Sequence, residues 1–305
     1  MNRELFFKYI LIIAKIATIF LLVQFLMMVI GIPAWDGQLP LPLSKTDGWA
    51  QLTDITGSIR VHSFFQEPSY YVMYIMPVLA YCFKIKDIKT TLLLIFGILL
   101  STSSMGIAGI GIIILMWLFF EKRKEIRINH VIVFVLIFVL GVGLFMYAYN
   151  KYPQVRFSTE YMISKLLNTR NDLNKAYMGS TKIRLLGNID LFSGFTVFHK
   201  LFGLGINQYP LVYPNVIPYS NSMVTFLLNG GLVVVITYML YEAKMILRCK
   251  GFNMIYAVLF TYVMFTDLCI FTWYAFYLIF WAMLFQDTEY FKQYIKFNVA
   301  GQRNV

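Results

Sequence analysis

Charge is scarce in this chain. Only 13% of its 305 residues are Asp, Glu, Lys or Arg, where a soluble domain carries about 25%. It has three histidines and three cysteines. Cys82, Cys249 and Cys269 are scattered without a CxxC pair, so their spacing implies neither a disulfide framework nor a metal site. Cys82 and Cys249 adjoin basic connectors, which points to a cytoplasmic side. No GxxxxGK(S/T) loop, HExxH helix or DxD pair occurs. An ATP-driven pump, or an enzyme using a nucleotide donor held by a metal, therefore has no recognisable machinery here. Within the apolar runs, ionisable residues are nearly confined to Lys15 and Asp267. Ion-coupled transporters depend on buried ionisable relays, and this chain is poor in them. A lysine can extend along its helix to reach water, and Asp267 is expected to cap a hairpin tip.

Apolar residues make up 59% of the chain and gather in unbroken blocks. Blocks of about 18 or more read as membrane spans. The formal net charge of +11 does not indicate nucleic acid, because the basic residues sit mostly in short connectors between apolar blocks. That distribution is the positive-inside pattern of a polytopic membrane protein. The first block, Leu5 to Ile30, follows Arg3 and carries Lys8 in its opening turns. A cleaved signal peptide has an apolar core of about 7–15 residues and a small-residue cleavage site. This run is longer and ends in "GIPAW", so it reads as a retained helix.

The basic connectors are "KIKDIK" (Lys84 to Lys89), "EKRKEIR" (Glu121 to Arg127), "EAKMILRCK" (Glu242 to Lys250) and the C-terminal "KQYIKFNVAGQR". If all are cytoplasmic, an even number of crossings separates each pair. Thr90 to Phe120 would be about 46 Å long as one helix, against a hydrocarbon core of about 30 Å. It divides better into two short helices meeting at "STSSMG" (Ser101 to Gly106). Phe252 to Phe285 divides likewise at Thr266-Asp267. The expected fold is all-α, a single integral membrane domain over 1–305 with both termini inside. Its eight helices fall near 5–31, 69–83, 88–101, 104–120, 130–149, 220–241, 252–266 and 268–285. Two extracytoplasmic loops result, 32–68 and the large 150–219.

The large loop holds eight Lys or Arg and three acids, against the positive-inside trend, although long loops translocate largely regardless of charge. An anionic ligand is one reason for such a loop. Its "GSTKIRLLGNIDLFSGFTVFHKLFGLGINQYP" (Gly179 to Pro210) has glycine breaks and apolar residues, which predict short helices at the membrane interface. Helices that descend from the outer face begin with polar starts: "EPS" with Pro68 in the first turn, "STSSMG", "PYSNS" and "TD". Such residues are ordinary caps, and helix N-termini also favour anions. Arg60, just before Pro68, has the right sign for phosphate, and Arg184 carries a planar guanidinium suited to bidentate phosphate contacts. Glu67 is alternatively a carboxylate that neutralises Arg60.

The segments "RVHSFFQEPSYYVMYIMPVLAY", "LLSTSSMGIAGIGIIIL", "KLFGLGINQYP" and "YSNSMVTFLLNGGL" occur in this order. Together they resemble the Wzy-type polysaccharide repeat-unit polymerases of the O-antigen polymerase and ligase superfamily. The resemblance covers roughly Arg60 to Leu232. It implies a metal-independent membrane glycosyltransferase of the lipid-donor (GT-C-like) class, without cofactor, at the outer face of a bacterial inner membrane. Its substrates would be undecaprenyl-diphosphate-linked oligosaccharide repeats, joined into O-antigen, capsule or exopolysaccharide. Membrane lipids, a chain-length regulator and a flippase are the partners implied. Carried over by position, Arg60 and Arg184 bind diphosphate, with Lys182 beside them. Ser69 and Asn221 fall in the family's polar helix starts as substrate-binding residues. Ser220 stands where ligases often have histidine, and the "STSSMG" turn lacks an arginine that sometimes follows it. Family members often have more helices, so on this resemblance the chain is a minimal version or lacks N-terminal spans.

The implied chemistry is attack of a sugar hydroxyl on an anomeric carbon, with diphosphate leaving. Stabilising the leaving group is the largest demand. Deprotonating the acceptor requires a base in reach, for which Glu67 and His199 are the candidates, with His62 behind them. A ligase of the same superfamily is an alternative, as is a transporter or flippase of lipid-linked sugars. The latter should show internal repeats and broken helices around a cavity, and no internal repeat is evident.

Overall fold

The structure, a computed structural model, describes residues 3–35, 37, 60–120, 146–147, 149–153, 156, 160, 188–206, 208–214, 220–249 and 251–267. Among these residues the regular structure is helical, with no strand. The chain divides into two compact units, Met1–Thr181 and Lys182–Val305.

In the first unit, α1 (Arg3–Val29) runs through the first apolar block. The next helix, α2 (Pro68–Ile85), starts where Pro68 fits, because proline lacks the N–H that would be unsatisfied there. It ends as Lys86 takes a left-handed conformation (φ 60) and the N–H of Asp87 bonds back to Cys82. Asp87 then caps α3 (Ile88–Leu100), accepting the backbone N–H of Thr90 at 3.1 Å. The predicted break in the next apolar block is present. Ser101 turns its hydroxyl onto the Ile98 carbonyl, Thr102 is left-handed, and α4 (Ser104–Phe120) follows.

Antiparallel contacts tie α1 to α2. Phe7 stacks on Tyr81, the Tyr74 hydroxyl donates to the Ile10 carbonyl, and Thr18 Oγ1 lies 2.9 Å from Tyr71 Oη. Helices α3 and α4 pack closely on their neighbours because of small residues. A Cβ on Gly97 would strike Tyr71 Oη and Thr18, and one on Gly106 or Gly109 would strike Ile98 and Val72 or Met76. Such packing through small residues is the usual means of joining apolar helices when lipid-like surfaces offer no hydrophobic gain. Lys15 does extend along its helix: Nζ lies 3.9 Å from Asp87 Oδ2.

The described part of the second unit opens with a 3-10 turn (Ile189–Gly194), α5 (Val197–Phe202) and α6 (Tyr209–Val212). The short helices expected in the large loop are therefore present. The long α7 (Ser222–Arg248) and α8 (Met254–Thr266) follow. Two features of α7 differ from expectation. It continues past residue 241 through the charged connector, because Glu242 is buried against α8. Glu242 accepts from Tyr238 Oη at 2.7 Å and lies 3.4 Å from Thr261 Oγ1. It is also broken at Gly231, where φ is 66 and ψ −167.

Among the described residues two helices, over Leu5–Val29 and Ser222–Leu247, are long and apolar enough to cross a membrane, while α3, α4 and the segment Gly251–Thr266 are shorter apolar helices. Of the expected helix 130–149 only Met146, Tyr147 and Tyr149 are described, all helical, and 268–285 lies outside the described residues.

Candidate functional site

In the first unit the segment from Arg60 to Ser69 descends into the bundle beside α1. Val61, His62 and Ser63 are completely buried. Ser63 is left-handed (φ 62), a conformation that costs a non-glycine residue about 1–2 kcal/mol. Three bonds to α1 hold it there. The Gln24 side chain accepts from the Ser63 N–H at 2.8 Å and donates to the Ser63 carbonyl at 3.0 Å. The Ser63 hydroxyl donates to the Ala17 carbonyl at 2.8 Å. The same Gln24 amide donates to the Trp35 carbonyl at 2.8 Å, so the backbone at Trp35 and at Ser63 is fastened to α1 by one side chain. Main chain at this depth needs such partners, because an unsatisfied amide in an apolar setting costs several kcal/mol.

This descent decides the setting of each predicted residue. His62 is enclosed, whereas Arg60 and Glu67 are half-buried. Glu67 precedes α2 in an extended conformation, and its Oε2 accepts from the Ser69 hydroxyl at 3.1 Å. No ion pair joins Arg60 to Glu67 among the described residues. Glu67, with its bond from Ser69, thus stands immediately before α2.

In the second unit the polar start of α7 is closed. Asn221 Oδ1 caps it by accepting from Val224 N at 2.8 Å, and the Ser222 N–H and hydroxyl both reach the Asp267 carbonyl at 3.0 Å. Asn188 donates to Ser220 Oγ at 3.0 Å. All five of these polar residues are buried. Asn221 thus spends its side chain on the helix start, and Asp267 ends α8 through its backbone N–H, which bonds to the Val263 carbonyl; the helix 268–285 that it was expected to cap lies outside the described residues. His199 sits in α5, half-buried. Its N–H is capped by Thr196 Oγ1 at 3.3 Å, its Nδ1 lies 3.2 Å from the same oxygen, and its ring edges toward Phe195 and Phe198. With Nδ1 protonated toward Thr196, Nε2 would keep the lone pair that a base requires. Lys182 and Arg184 lie outside the described residues.

Two of the glycine-bearing motifs come together main chain to main chain. The break at Gly231 frees the carbonyls of Leu228 and Asn229 from the helix ladder. They accept instead from Leu204 N and Gly205 N, both at 2.9 Å. A Cβ on Gly203 would overlap the Asn229 carbonyl, and one on Gly231 would overlap the Leu201 carbonyl. Beside this junction Phe195, Tyr209, Val224 and Leu228 form a small core.

Gln24, Glu242 and the Gly231 break escaped the sequence reading. A lone glutamine in "LLVQFLMM" was the available signal for the first. Comparisons with protein families, with curated proteins and with solved structures find no match to this chain.

Proposed function

We propose that this chain is an oligosaccharide repeat-unit polymerase of a bacterial inner membrane. It would join undecaprenyl-diphosphate-linked repeats at the outer face through a multi-pass fold with both termini inside. The observation that carries this reading is the junction of "LFGLG" with "LLNGGL", two segments of the resemblance that are separated in sequence yet bonded backbone to backbone. The exposure of the long helices supports the membrane part. Only 33% of the apolar window of α1 and 28% of that of α7 is buried, whereas the core helix of a soluble protein would be covered nearly all round.

In this reading Arg60 neutralises the leaving diphosphate, and Glu67, oriented by Ser69, or His199 takes the acceptor proton. Arg184 and Lys182 add charge from the large loop. The test is the polymer ladder of cells that carry variants as their only copy, read with the amount of protein in the membrane. Arg60→Ala should abolish the ladder at normal abundance. Arg60→Lys should restore little of it, since lysine lacks the planar two-pronged contact. Normal ladders from Arg60→Ala would overturn the site. If deleting the gene leaves long polymer on the lipid carrier, the chain is a ligase instead.

A further inference from the structure

We infer that Val197 to Val212 is a membrane-docking element. In this arrangement α5 and α6 lie in the headgroup layer at the N-terminal side of α7, and the break at Gly231 marks the depth at which α7 enters hydrocarbon. The inference rests on the membrane reading above and extends it.

Helix α5 is inside out for a helix in water. Its outward residues are apolar, with Val197 76%, Phe198 66%, Leu201 41% and Phe202 53% exposed. Its polar residues, His199 and Lys200, are the half-buried ones. A helix facing water buries its apolar stripe and exposes the polar one. The same character continues along the segment, where Ile206 is 71% and Leu211 74% exposed.

Helix α7 shows what covers this face. From Ser222 to Gly231 it has no exposed residue, whereas immediately below the break Leu232, Val233, Val234, Ile236, Met239 and Leu240 are all exposed. Helix α5 is fastened at that height through Leu204 and Gly205. The apolar face of α5 and the apolar lower part of α7 therefore begin at one level. The stretch from residue 232 to 248 is about 26 Å long, close to the roughly 30 Å of hydrocarbon, and the connector charges Glu242, Lys244 and Arg248 are confined to its last two turns, with Glu242 buried against α8. Nine buried or half-buried residues of α7 above the break, with the polar cluster at Asn221 and Ser222, then stand clear of the bilayer. The occupant that fits a broad apolar face continuous with a spanning helix is lipid. This element would hold His199 and Lys200 at headgroup level, where a lipid-linked donor carries its phosphates.

The experiment attaches an environment-sensitive fluorophore to single cysteines at Val197, Phe198 or Leu211, in the full chain with Cys82, Cys249 and Cys269 replaced by alanine. The protein is reconstituted in phosphatidylcholine–phosphatidylglycerol vesicles. Labels at Asp190, Ile16 and Ile236 serve as references. We expect the three test labels to shift to the blue and to be shielded from iodide present on both sides. A nitroxide near the top of the acyl chain should quench them more than one at its end, matching a depth of about 5–10 Å. Iodide quenching equal to that at Asp190 would place the element in water. Shielding from iodide without nitroxide quenching would mean that protein, such as a second copy, covers the face. Either result overturns the inference while Ile16 and Ile236 remain lipid-quenched. Iodide access at Ile16 and Ile236 would overturn the membrane reading as well.

Discussion

Gln24 and Ser63, 39 positions apart, pair as two strand residues would: the Ser63 N–H donates to Gln24 Oε1 at 2.8 Å and the Gln24 amide returns a bond to the Ser63 carbonyl at 3.0 Å. One side chain thus stands in for a neighbouring backbone and fixes the descent from Arg60 to Ser69.

Replacing Gln24 by Leu strands the buried N–H and carbonyl of Ser63. Each such group costs about 1–3 kcal/mol, so a loss of about 2–6 kcal/mol is expected. Gln24→Glu keeps the acceptor but sets a buried carboxylate against the Ser63 and Trp35 carbonyls, and should cost at least as much. Thermal unfolding in detergent measures this, and an unchanged midpoint for Gln24→Leu would show that the clasp carries no weight.

At Gly231, alanine would be left-handed and its Cβ would meet the Leu201 carbonyl. The conformation alone costs about 1–2 kcal/mol, and the overlap pushes the loop off the freed carbonyls. Faster proteolysis between residues 197 and 206 is the expected sign. Gly111→Ala, which would meet nothing within 4 Å, should leave cleavage unchanged. Equal cleavage in the two variants would refute the junction.

The Asp87 carboxyl is held below its ordinary pKa, first by the Thr90 hydroxyl bond and further by the Thr90 N–H and the nearby Lys15 and Lys89. A lowered folded value means that the carboxylate stabilises the fold fully above the unfolded value, about 3.9. That contribution disappears as pH falls through the folded value. Asp87→Asn retains a cap acceptor without the charge, so the wild-type advantage over it should shrink below about pH 4. The midpoint difference between the two proteins, followed against pH, tests this. A difference that stays constant into acid would contradict it.

Topology is tested by reporter fusions. Those after Asp47 and Lys175 should report outside, and those after Lys124 and Lys250 inside. A cytoplasmic signal at Lys175 would move the large loop, and with it His199, to the wrong side for the proposed reaction.

Which parts were legible follows from the range of the forces involved. Pro68 at a helix start, the connector Lys84 to Lys89, and the break from Ser101 to Ser103 are signals complete within a few residues, so a reading of caps and apolar runs places α2, α3 and α4 to within two residues. The polar start at Asn221 was legible as a cap for the same reason, and its closure by Asp267 was not, because the carbonyl comes from the end of another helix.

Sequence alone determined the helical class and most ends of the described helices, since hydrophobic blocks and capping chemistry act locally. Tertiary structure decided the rest. Gly230-Gly231 inside an apolar run is compatible with an unbroken helix, and the break holds only because the amides of Leu204 and Gly205 arrive to satisfy the carbonyls it frees. Gln24 reads as one polar residue in an apolar helix until Ser63 and Trp35 bring their backbones to it. Glu242 reads as a connector charge until Tyr238 and Thr261 enclose it. In each case a buried polar group is stable only beside a partner distant in the chain or on another turn, and folding alone supplies that partner.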